Sequence, residues 1–541
     1  MTHKQSRRPL QELVANAVSR IEALESAYKT ITVPQLVSMR AQTHGSSIAI
    51  DVFERGERAT YAEVERRSNS YAHALRAFGL RKGDRVGVML PNRIEVPLLW
   101  FALAKLGAVI VPIYLYTTRE VEYICTDAQV KFAVVDETAW PVFSAMDPWP
   151  QNLAKERLII VGTSSTITTT LESLLKGIGD SPVDEDVRAD DLLNIQYTSG
   201  TTGFPKGCML THNYWAVVSY VISTMNPYKR SLCCSPADHL YGQWLLLASY
   251  RQGGTLYLAP ERNPSRVFDW INEYRIEWCS LPGPIAEAAK DVPRWLKQIT
   301  WNETCGRADT VRRLREQFGV RGLDYFGMTE IGCGTYPEVE EMDDAGSLGL
   351  RAPFRELRLV NENGTPTPVG EAGELWVKGR GIFEGYWNRP EANAACFEGE
   401  WFKTGDLLRI DELGFYWFVG RKKDVIRRLD ENIAAREVEA VVCEVPEVAD
   451  VAAVPVCDDK RGEEIKIYVE LKEGITQDDL LVQRILEHAR ANLAGFKIPR
   501  YIGFTPMLPR TVPSNKVLKR QLMNVSDPLA DTYDSELKRW C

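Results

Sequence analysis

Hydrophobic and polar positions alternate in two different ways along the chain. Between about Thr32 and Ala259, amphipathic helical segments are separated by short β-branched runs at residues 85–89, 108–111 and 131–135. This alternation is typical of βαβ units and parallel sheets. From roughly Gly346 the pattern changes to alternating strands with glycine turns, such as residues 374–378, which predicts a smaller β-rich subdomain.

The last part of the chain, after Lys423, combines strands with two helices. One helix is predicted at residues 435–445, and the other at residues 477–493 with Thr476 as its cap. About 120 residues are enough for an independent domain. We therefore expect an α/β fold with a large N-terminal domain over residues 1–422, including a helical extension at 1–30. A small, mobile α+β domain over residues 423–541 is expected to follow.

Composition narrows the class of protein. The chain has 541 residues, more than one core usually supports, and its net charge of −8 argues against nucleic-acid binding. The 11 cysteines are scattered and never spaced as metal ligands, which favours reduced thiols and a cytoplasmic location. The first thirty residues lack the apolar segment of a signal peptide. The apolar stretch at 96–116 is broken by Lys105, Gly107 and Pro112, so we expect a buried helix and strand rather than a membrane span.

The strongest chemical signal is the segment 197–207, which follows a predicted strand at Leu192–Gln196. It offers glycines that permit close backbone approach, hydroxyl donors and a lysine, which together suit a phosphate cradle. It is not a Walker A loop, because Lys206 follows proline and precedes glycine. The alternative is a glycine- and threonine-rich surface turn. The candidate phosphate ligands are Thr198, Ser199, Gly200, Thr201, Thr202, Gly203 and Lys206.

The segment 197–207 resembles the signature loop of adenylate-forming enzymes, a superfamily that includes acyl-CoA synthetases, peptide-synthetase adenylation domains and luciferases. A second segment, 325–330, is similar to this family's aromatic-Gly-x-Thr-Glu motif. The resemblance implies that Tyr325 stacks on adenine, that Thr329 contacts phosphate and that Glu330 holds Mg²⁺. Further nucleotide contacts are then expected from Phe326, Gly327, Met328, Gly306 and Arg307.

Three later segments extend the resemblance to residue 520. In 401–407 the family pattern makes Asp406 the ligand of the ribose hydroxyls, and in 420–424 it makes Arg421 a nucleotide ligand and Lys423 the hinge between domains. In 513–520 it makes Lys516 the catalytic lysine between the carboxylate and the α-phosphate. The family usually has glycine before this lysine, whereas this chain has Asn515, which tolerates positive φ better than most residues.

Asp430 is a departure from the family pattern. Many relatives have glycine there because the pantetheine arm of coenzyme A passes against the backbone. An aspartate narrows that path and adds a negative charge, which leaves the choice of acyl acceptor open.

By position in the motifs, the acid pocket is expected to contain His239, Gln243, Trp244 and Gly332. Trp244 is a bulky wall, which favours a small or medium acid over a long fatty chain. His239 can equally be a hydrogen-bonded core histidine. Arg307 either pairs with a second negative charge on the substrate or points to solvent.

The resemblance implies an AMP-forming carboxylic acid:CoA ligase of the carnitine or crotonobetaine, medium-chain or aryl type. Its substrates are then ATP with Mg²⁺, a small carboxylic acid and coenzyme A. Two alternatives stay open: an adenylate-forming ligase with an amine or carrier protein as acceptor, and a catalytically silent nucleotide-binding relative. The sequence decides neither the particular acid nor the oligomeric state, for which a homodimer is one possibility.

Overall fold

The computed structural model describes residues 9–113, 117–163, 169–198, 205–260, 263–281, 286, 291–300, 307–428, 431–458, 461–511 and 515–541. The side chains at 264, 307, 308, 431 and 432 lie outside this description. Among the described residues, no helix combines the length and the apolar character that crossing a membrane requires.

Two parallel-type sheets form the large α/β part. The first contains β3 (Arg85–Met89), β4 (Val109–Pro112), β5 (Phe132–Asp136), β6 (Leu158–Val161), β7 (Leu192–Thr198) and β8 (Lys206–Thr211). Their order is β6-β5-β3-β4-β7-β8, and only β7 and β8 pair antiparallel. Predicted strands at 85–89, 108–111 and 131–135 match β3, β4 and β5 to within one residue, because strands buried on both faces read as continuous apolar runs.

The second sheet contains β1 (Ile48–Val52), β2 (Glu57–Thr60), β9 (Arg230–Cys233), β10 (Thr255–Leu258), β11 (Trp278–Ser280), β12 (Gln298–Thr300) and β13 (Arg321–Leu323). Its order is β13-β12-β11-β9-β10-β1-β2, and β2 is the antiparallel edge strand. Two short hairpins follow: β14 (Gly327–Met328) with β15 (Gly332–Cys333), and β16 (Thr335–Tyr336) with β17 (Leu350–Arg351).

Helices cover these sheets, and several of them begin at a threonine. The helices are α1 (Leu10–Ala27), α2 (Val33–His44), α3 (Tyr61–Ala77), α4 (Glu95–Lys105), α5 (Thr118–Asp127), α6 (Trp140–Ser144), α7 (Leu171–Leu175), α8 (His212–Met225), α9 (Leu240–Gln252), α10 (Val267–Glu273), α11 (Arg307–Phe318) and α12 (Pro390–Cys396). Thr32, Thr60, Thr117 and Thr170 form capping boxes, which satisfy backbone donors of the first turn. The apolar stretch at 96–116 became α4 and β4 in its described part, as expected.

The predicted β-rich subdomain is an antiparallel sheet. It contains β18 (Arg355–Val360), β19 (Gly373–Gly379), β20 (Phe397–Glu398), β21 (Trp401–Ile410) and β22 (Tyr416–Arg421). Strand β21 pairs with β19, β20 and β22.

The C-terminal part has its own sheet and its own core. Its strands are β23 (Val425–Arg428), β24 (Glu431–Ala434), β25 (Val448–Asp458), β26 (Gly462–Leu471), β27 (Tyr501–Thr505), β28 (Thr532–Asp534) and β29 (Arg539–Trp540), and its helices are α13 (Ala435–Cys443), α14 (Asp479–Asn492) and α15 (Lys519–Met523). The predicted helix at 477–493 is α14, but its cap is Asp478, whose side chain accepts the Leu481 N–H, and not Thr476.

The fold class predicted from the sequence is confirmed. Of the ten cysteines in the described part of the chain, nine are free thiols and Cys443 is disulfide-bonded, so the expectation of reduced thiols does not hold at every position.

Candidate active site

Lys206 starts the strand that follows the predicted phosphate loop. In the β7–β8 hairpin Thr198 pairs with Lys206, and the Thr198 hydroxyl donates to the Lys206 carbonyl at 3.4 Å. Both residues therefore lie at one end of the first sheet, on either side of the loop. The other predicted loop ligands, Ser199, Gly200, Thr201, Thr202 and Gly203, lie outside the described residues.

Glu330 is a buried carboxylate that a tyrosine holds in place. The Tyr386 hydroxyl donates to Glu330 Oε1 at 2.7 Å, and Lys206 Nζ lies 4.8 Å from the centroid of the Tyr386 ring. Burial raises the pKa of Glu330, while the Tyr386 hydrogen bond, Lys516 and Lys206 lower it. One tyrosine thus connects the lysine after the phosphate loop with the predicted metal carboxylate.

The segment that carries Glu330 is shaped by a short hairpin. Tyr325 and Thr329 are half-buried, and Phe326 is buried with its N–H donated to the Thr335 hydroxyl at 2.7 Å. Gly327 and Met328 form β14. Residue 332 has a φ of +66°, and a Cβ there would lie 2.3 Å from Val218 of α8. Only glycine fits that position, which brings the segment against α8.

Asp406 and Arg421 are cross-strand partners on β21 and β22. Arg421 Nε lies 3.3 Å from Asp406 Oδ1, and Asp406 is 6% exposed. Burial raises the pKa of Asp406 to about 6, although Arg421 and Lys516 lower it. A carboxylate held this way can accept hydrogen bonds from ligand hydroxyls.

Lys516 reaches the same region from the C-terminal part of the chain. Asn515 has a φ of +52°, as expected for a residue in the family's glycine position. Two hydrogen bonds join the backbone of Lys516 to Thr511. The Thr511 N–H donates to the Lys516 carbonyl at 2.8 Å, and the Lys516 N–H donates to the Thr511 hydroxyl at 3.1 Å. Part of the Lys516 side chain is accessible, but surrounding protein and the Arg421 charge lower its pKa, and Asp406 and Glu330 raise it. Lys516, Asp406 and Glu330 therefore share one electrostatic environment.

Lys423 lies at the predicted hinge, in a 3-10 turn at Lys422–Asp424. Burial and the neighbouring Arg421 lower the pKa of Lys423 to about 8. The structure thus places Lys423 beside Arg421 and Asp406, and its role as a hinge stays a prediction.

The predicted acid-pocket residues lie on α9 and on β15. His239 is half-buried and caps α9 by accepting the Tyr241 N–H at 3.4 Å, so it is a hydrogen-bonded helix cap and not a core histidine. Its place in the acid pocket stays a prediction. Gln243 and Trp244 are buried in the first turns of α9. Gly306, the Arg307 side chain and Asp430 lie outside the described residues.

Two residues around the site were missed by sequence reasoning. Tyr386 follows Gly385 in a loop 56 positions after Glu330, and no local pattern separates it from other loop tyrosines. Arg436 lies on α13 with its guanidinium 4.5 Å from the Phe418 ring, and burial lowers the pKa of Arg436 to about 10. Both were missed because only tertiary structure brings them to the site.

A metal at Glu330 would depend on ligands from a substrate. Within the described residues, no group of three or more His, Cys, Asp or Glu side chains is arranged to hold a metal ion. Mg²⁺ usually binds proteins through one or two carboxylates together with water and substrate phosphates. A single buried carboxylate near Lys206 fits that mode and not a closed metal cage.

Comparisons with known proteins identify the family of this chain. Residues 37–387 match the family model of AMP-binding enzymes, and residues 437–514 match that of the AMP-binding enzyme C-terminal domain. A feruloyl-CoA synthase from Amycolatopsis is 32% identical over 480 residues, which cover 86% of this chain and 94% of that protein. The long-chain-fatty-acid–CoA ligase FadD13 of Mycobacterium tuberculosis is 32% identical over 485 residues, covering 86% and 92%.

A solved structure shows the same fold with ligands. The o-succinylbenzoate coenzyme A synthetase MenE of Bacillus subtilis, in complex with ATP and magnesium ion, superposes with a TM-score of 0.78. It is 26% identical, and the match covers 90% of this chain and 99% of that one.

Proposed function

The chain belongs to the family of AMP-binding enzymes, and from this membership we propose that it activates a carboxylic acid with ATP and transfers the acyl group to coenzyme A. The enzyme is thus an AMP-forming acid–thiol ligase that uses ATP, Mg²⁺ and coenzyme A. This function is supported by relatives that are named as CoA synthases or ligases and that match this chain over most of their length.

Adenylation overcomes a chemical barrier. A thiol does not displace oxide from a carboxylate at neutral pH, whereas it does displace AMP from an acyl-adenylate. Forming that mixed anhydride requires the carboxylate to approach the α-phosphate against charge repulsion. Preorganised positive charges in a buried site reduce this repulsion.

The observation that carries the proposal is the meeting of four charged side chains. Lys206, Glu330, Asp406 and Lys516 come from four separate segments of the chain, yet Lys206 and Lys516 both lower the pKa of Glu330, and Lys516 lowers that of Asp406. We assign Lys516 to the α-phosphate and the reacting carboxylate, and Lys206 to the phosphates. Glu330 would hold Mg²⁺, which neutralises phosphate charge when bound.

The remaining ligands follow from position. Asp406 would accept hydrogen bonds from the ribose hydroxyls, with Arg421 orienting its carboxylate. Tyr325 would stack on adenine, and the hydroxyls of Thr198 and Thr329 would bind phosphate oxygens. In the second reaction, we propose that the small domain rotates at Lys423, which withdraws Lys516 and admits the thiol of coenzyme A.

We further propose a cytoplasmic location. ATP and coenzyme A are available there, and the free thiols of this chain persist in a reducing compartment.

An acid panel tests the function directly. The purified enzyme is incubated with ATP, Mg²⁺ and each acid, with and without coenzyme A, and pyrophosphate and free thiol are measured. At least one acid should give pyrophosphate release that is accompanied by thiol consumption. Pyrophosphate release without thiol consumption for every acid would point to another acceptor, and no release at all would reject adenylation.

Lys516→Ala tests the catalytic assignment. Loss of one positioned charge at a developing transition-state charge typically costs about 10²–10³ in kcat, so pyrophosphate release should fall by that order. The matched control is Lys472→Ala, which removes an exposed lysine elsewhere in the same domain and should leave the rate unchanged. Equal rates for the Lys516 variant and the wild type would disprove the role of Lys516.

A further inference from the structure

The region between α8 and α9 contains buried polar atoms that lack hydrogen-bond partners in the described part of the chain. They are the hydroxyl of Tyr214, Nε2 of Gln243 and Nε1 of Trp244, which we call the donor cluster. Leaving a buried polar group unpaired is energetically unfavourable, so a concentration of such groups indicates a ligand or ordered water.

The orientation of Gln243 follows from its neighbours. The Trp100 indole N–H can only donate, and it donates to Asn194 Oδ1 at 3.1 Å. Asn194 Nδ2 must then face Gln243, where it donates to Oε1 at 3.1 Å. Flipping the Gln243 amide would oppose two N–H groups. Gln243 Nε2, on a side chain that is 1% exposed, is therefore a donor that finds no acceptor among the described residues.

The donor cluster lies beside the segment that carries Glu330. The Trp244 N–H is close enough to the Tyr214 hydroxyl to oppose the rise in its pKa, although the two are not aligned as a hydrogen bond. The Tyr214 and Tyr241 hydroxyls in turn raise the pKa of Tyr325. Tyr325, at the start of that segment, is thus common to the candidate nucleotide site and the donor cluster.

The electrostatics of this region favour an electron-rich group. Arg355 is 2% exposed, and its guanidinium donates only to carbonyl oxygens, including those of Ile331 and Cys333 at 2.6–3.1 Å. No carboxylate among the described residues pairs with it, and its charge lowers the pKa of Tyr214. A buried cation without an anionic partner stabilises a nearby oxygen acceptor and destabilises a cation.

We infer that the donor cluster binds an acceptor oxygen of the acid substrate, so that the preferred acid carries an oxygen in addition to its carboxylate. The inference rests on the proposed ligase function. Gln243 and Trp244 supply N–H groups that can only donate, so an ether, carbonyl or hydroxyl oxygen satisfies them and a methylene does not. An all-carbon acid of the same shape would leave these donors buried and unpaired.

Matched acids test this inference. Methoxy- and ethyl-substituted benzoates and cinnamates have the same shape and differ by one oxygen, as do an ether-containing alkanoic acid and its all-carbon counterpart. In at least one pair, kcat/KM for pyrophosphate release should favour the oxygen-containing acid by about tenfold or more. Gln243→Leu and Trp244→Phe should each reduce that ratio several-fold.

The control is Trp270→Phe, which removes an indole N–H that donates to Glu54 in a different core and should leave the ratio unchanged. Ratios near one in every pair for the wild type would mean that water satisfies these donors, and this would overturn the inference while the ligase function stands. If no acid supports pyrophosphate release, the function itself is wrong. If Gln243→Leu does not fold, the wild-type ratio and Trp244→Phe still decide.

Discussion

Burial disfavours the charged form of several single side chains in the candidate site. Burial raises the pKa of Glu330 and Asp406 and lowers the pKa of Lys423 and Lys516, so each charge depends on the others. Such perturbed groups are common where a charged ligand completes the site. On the proposed function, the charges of a nucleotide and its metal would complete this set.

The pKa of Asp406 predicts how nucleotide affinity changes with pH. Because the pKa is about 6, the carboxylate is largely ionised at pH 7.5 and gains a proton below pH 6, losing its capacity as a doubly accepting ribose ligand. One pH unit below its pKa a group is about ten-elevenths protonated, so KM for ATP should rise about tenfold at pH 5. Initial rates at saturating acid measure this.

Asp406→Asn is the reference for that experiment. Asparagine does not titrate, so the KM of this variant for ATP should be high over the whole pH range. It should change with pH only as ATP itself titrates. The assignment of Asp406 fails if wild type and variant show the same relative change in KM between pH 7.5 and pH 5.

Tyr386→Phe should weaken the metal site and leave the ring in place. The variant loses the 2.7 Å hydrogen bond to Glu330 but keeps the aromatic face under Lys206. A hydrogen bond to a charged group contributes about 1.5–3 kcal/mol, so the Mg²⁺ concentration for half-maximal activity should rise about tenfold or more. KM for the acid should change little, which separates positioning of Glu330 from general damage.

Tyr468→Phe provides the comparison, because it removes a tyrosine hydroxyl that donates to the Leu522 carbonyl at 3.1 Å in the C-terminal part. Its Mg²⁺ activation curve should match that of the wild type. Superimposable curves for the Tyr386 variant would show that Glu330 does not depend on this tyrosine.

At the scale of elements, prediction succeeded where the local pattern decides the structure. Buried parallel strands such as β3 and β5 are continuous apolar runs that can be recognised in the sequence. Asn515, the residue before Lys516, adopts the positive φ that asparagine tolerates. Prediction failed where tertiary contacts decide. Thr476 and Asp478 are both good caps by residue type, and in the structure Asp478 caps α14. Likewise, the sequence around Tyr386 and the sequence around Glu330 contain no pattern that predicts the contact between them.

Helix α1 extends the large domain in a way that bears on the site. Glu25 accepts from Arg351 at 2.6 Å and from the Phe354 N–H at 2.7 Å, and Tyr28 lies 5.0 Å from the Phe354 ring. Phe354 has a φ of +65° and immediately precedes Arg355. Helix α1 thus supports the strained backbone at Phe354. The next residue, Arg355, is the buried cation near the donor cluster.

Glu25→Ala should loosen α1. The Phe354 N–H and the Arg351 guanidinium lose their shared acceptor, so the helix should open more often and limited proteolysis within residues 10–27 should become several-fold faster. Glu22→Ala is the matched control, because that glutamate is exposed on the same helix. Equal digestion rates for the two variants would show that Glu25 does not anchor the helix.

At the scale of the whole molecule, Lys516 of the predicted small domain lies near enough to Glu330 and Asp406 to lower the pKa of both carboxyl groups, which we interpret as the docked arrangement. Arg436 belongs to the predicted small domain and Phe418 to the large one, and the 4.5 Å contact between them spans the predicted boundary next to Lys423. If the domain rotates for thioester formation, this contact stabilises only the docked arrangement. Arg436 then sets the balance between two states without touching either substrate.

Arg436→Ala should therefore affect the two half-reactions differently. A partly buried cation–π contact contributes about 0.5–2 kcal/mol, so losing it should reduce the docked population and slow pyrophosphate release by about 2- to 30-fold. Thioester formation from supplied acyl-adenylate and coenzyme A should be unchanged or faster, because it requires the undocked state. Arg490→Ala, which alters an exposed arginine on α14, should change neither rate. An equal loss in both half-reactions would mean that Arg436 supports folding alone and would remove this argument for a rotating domain.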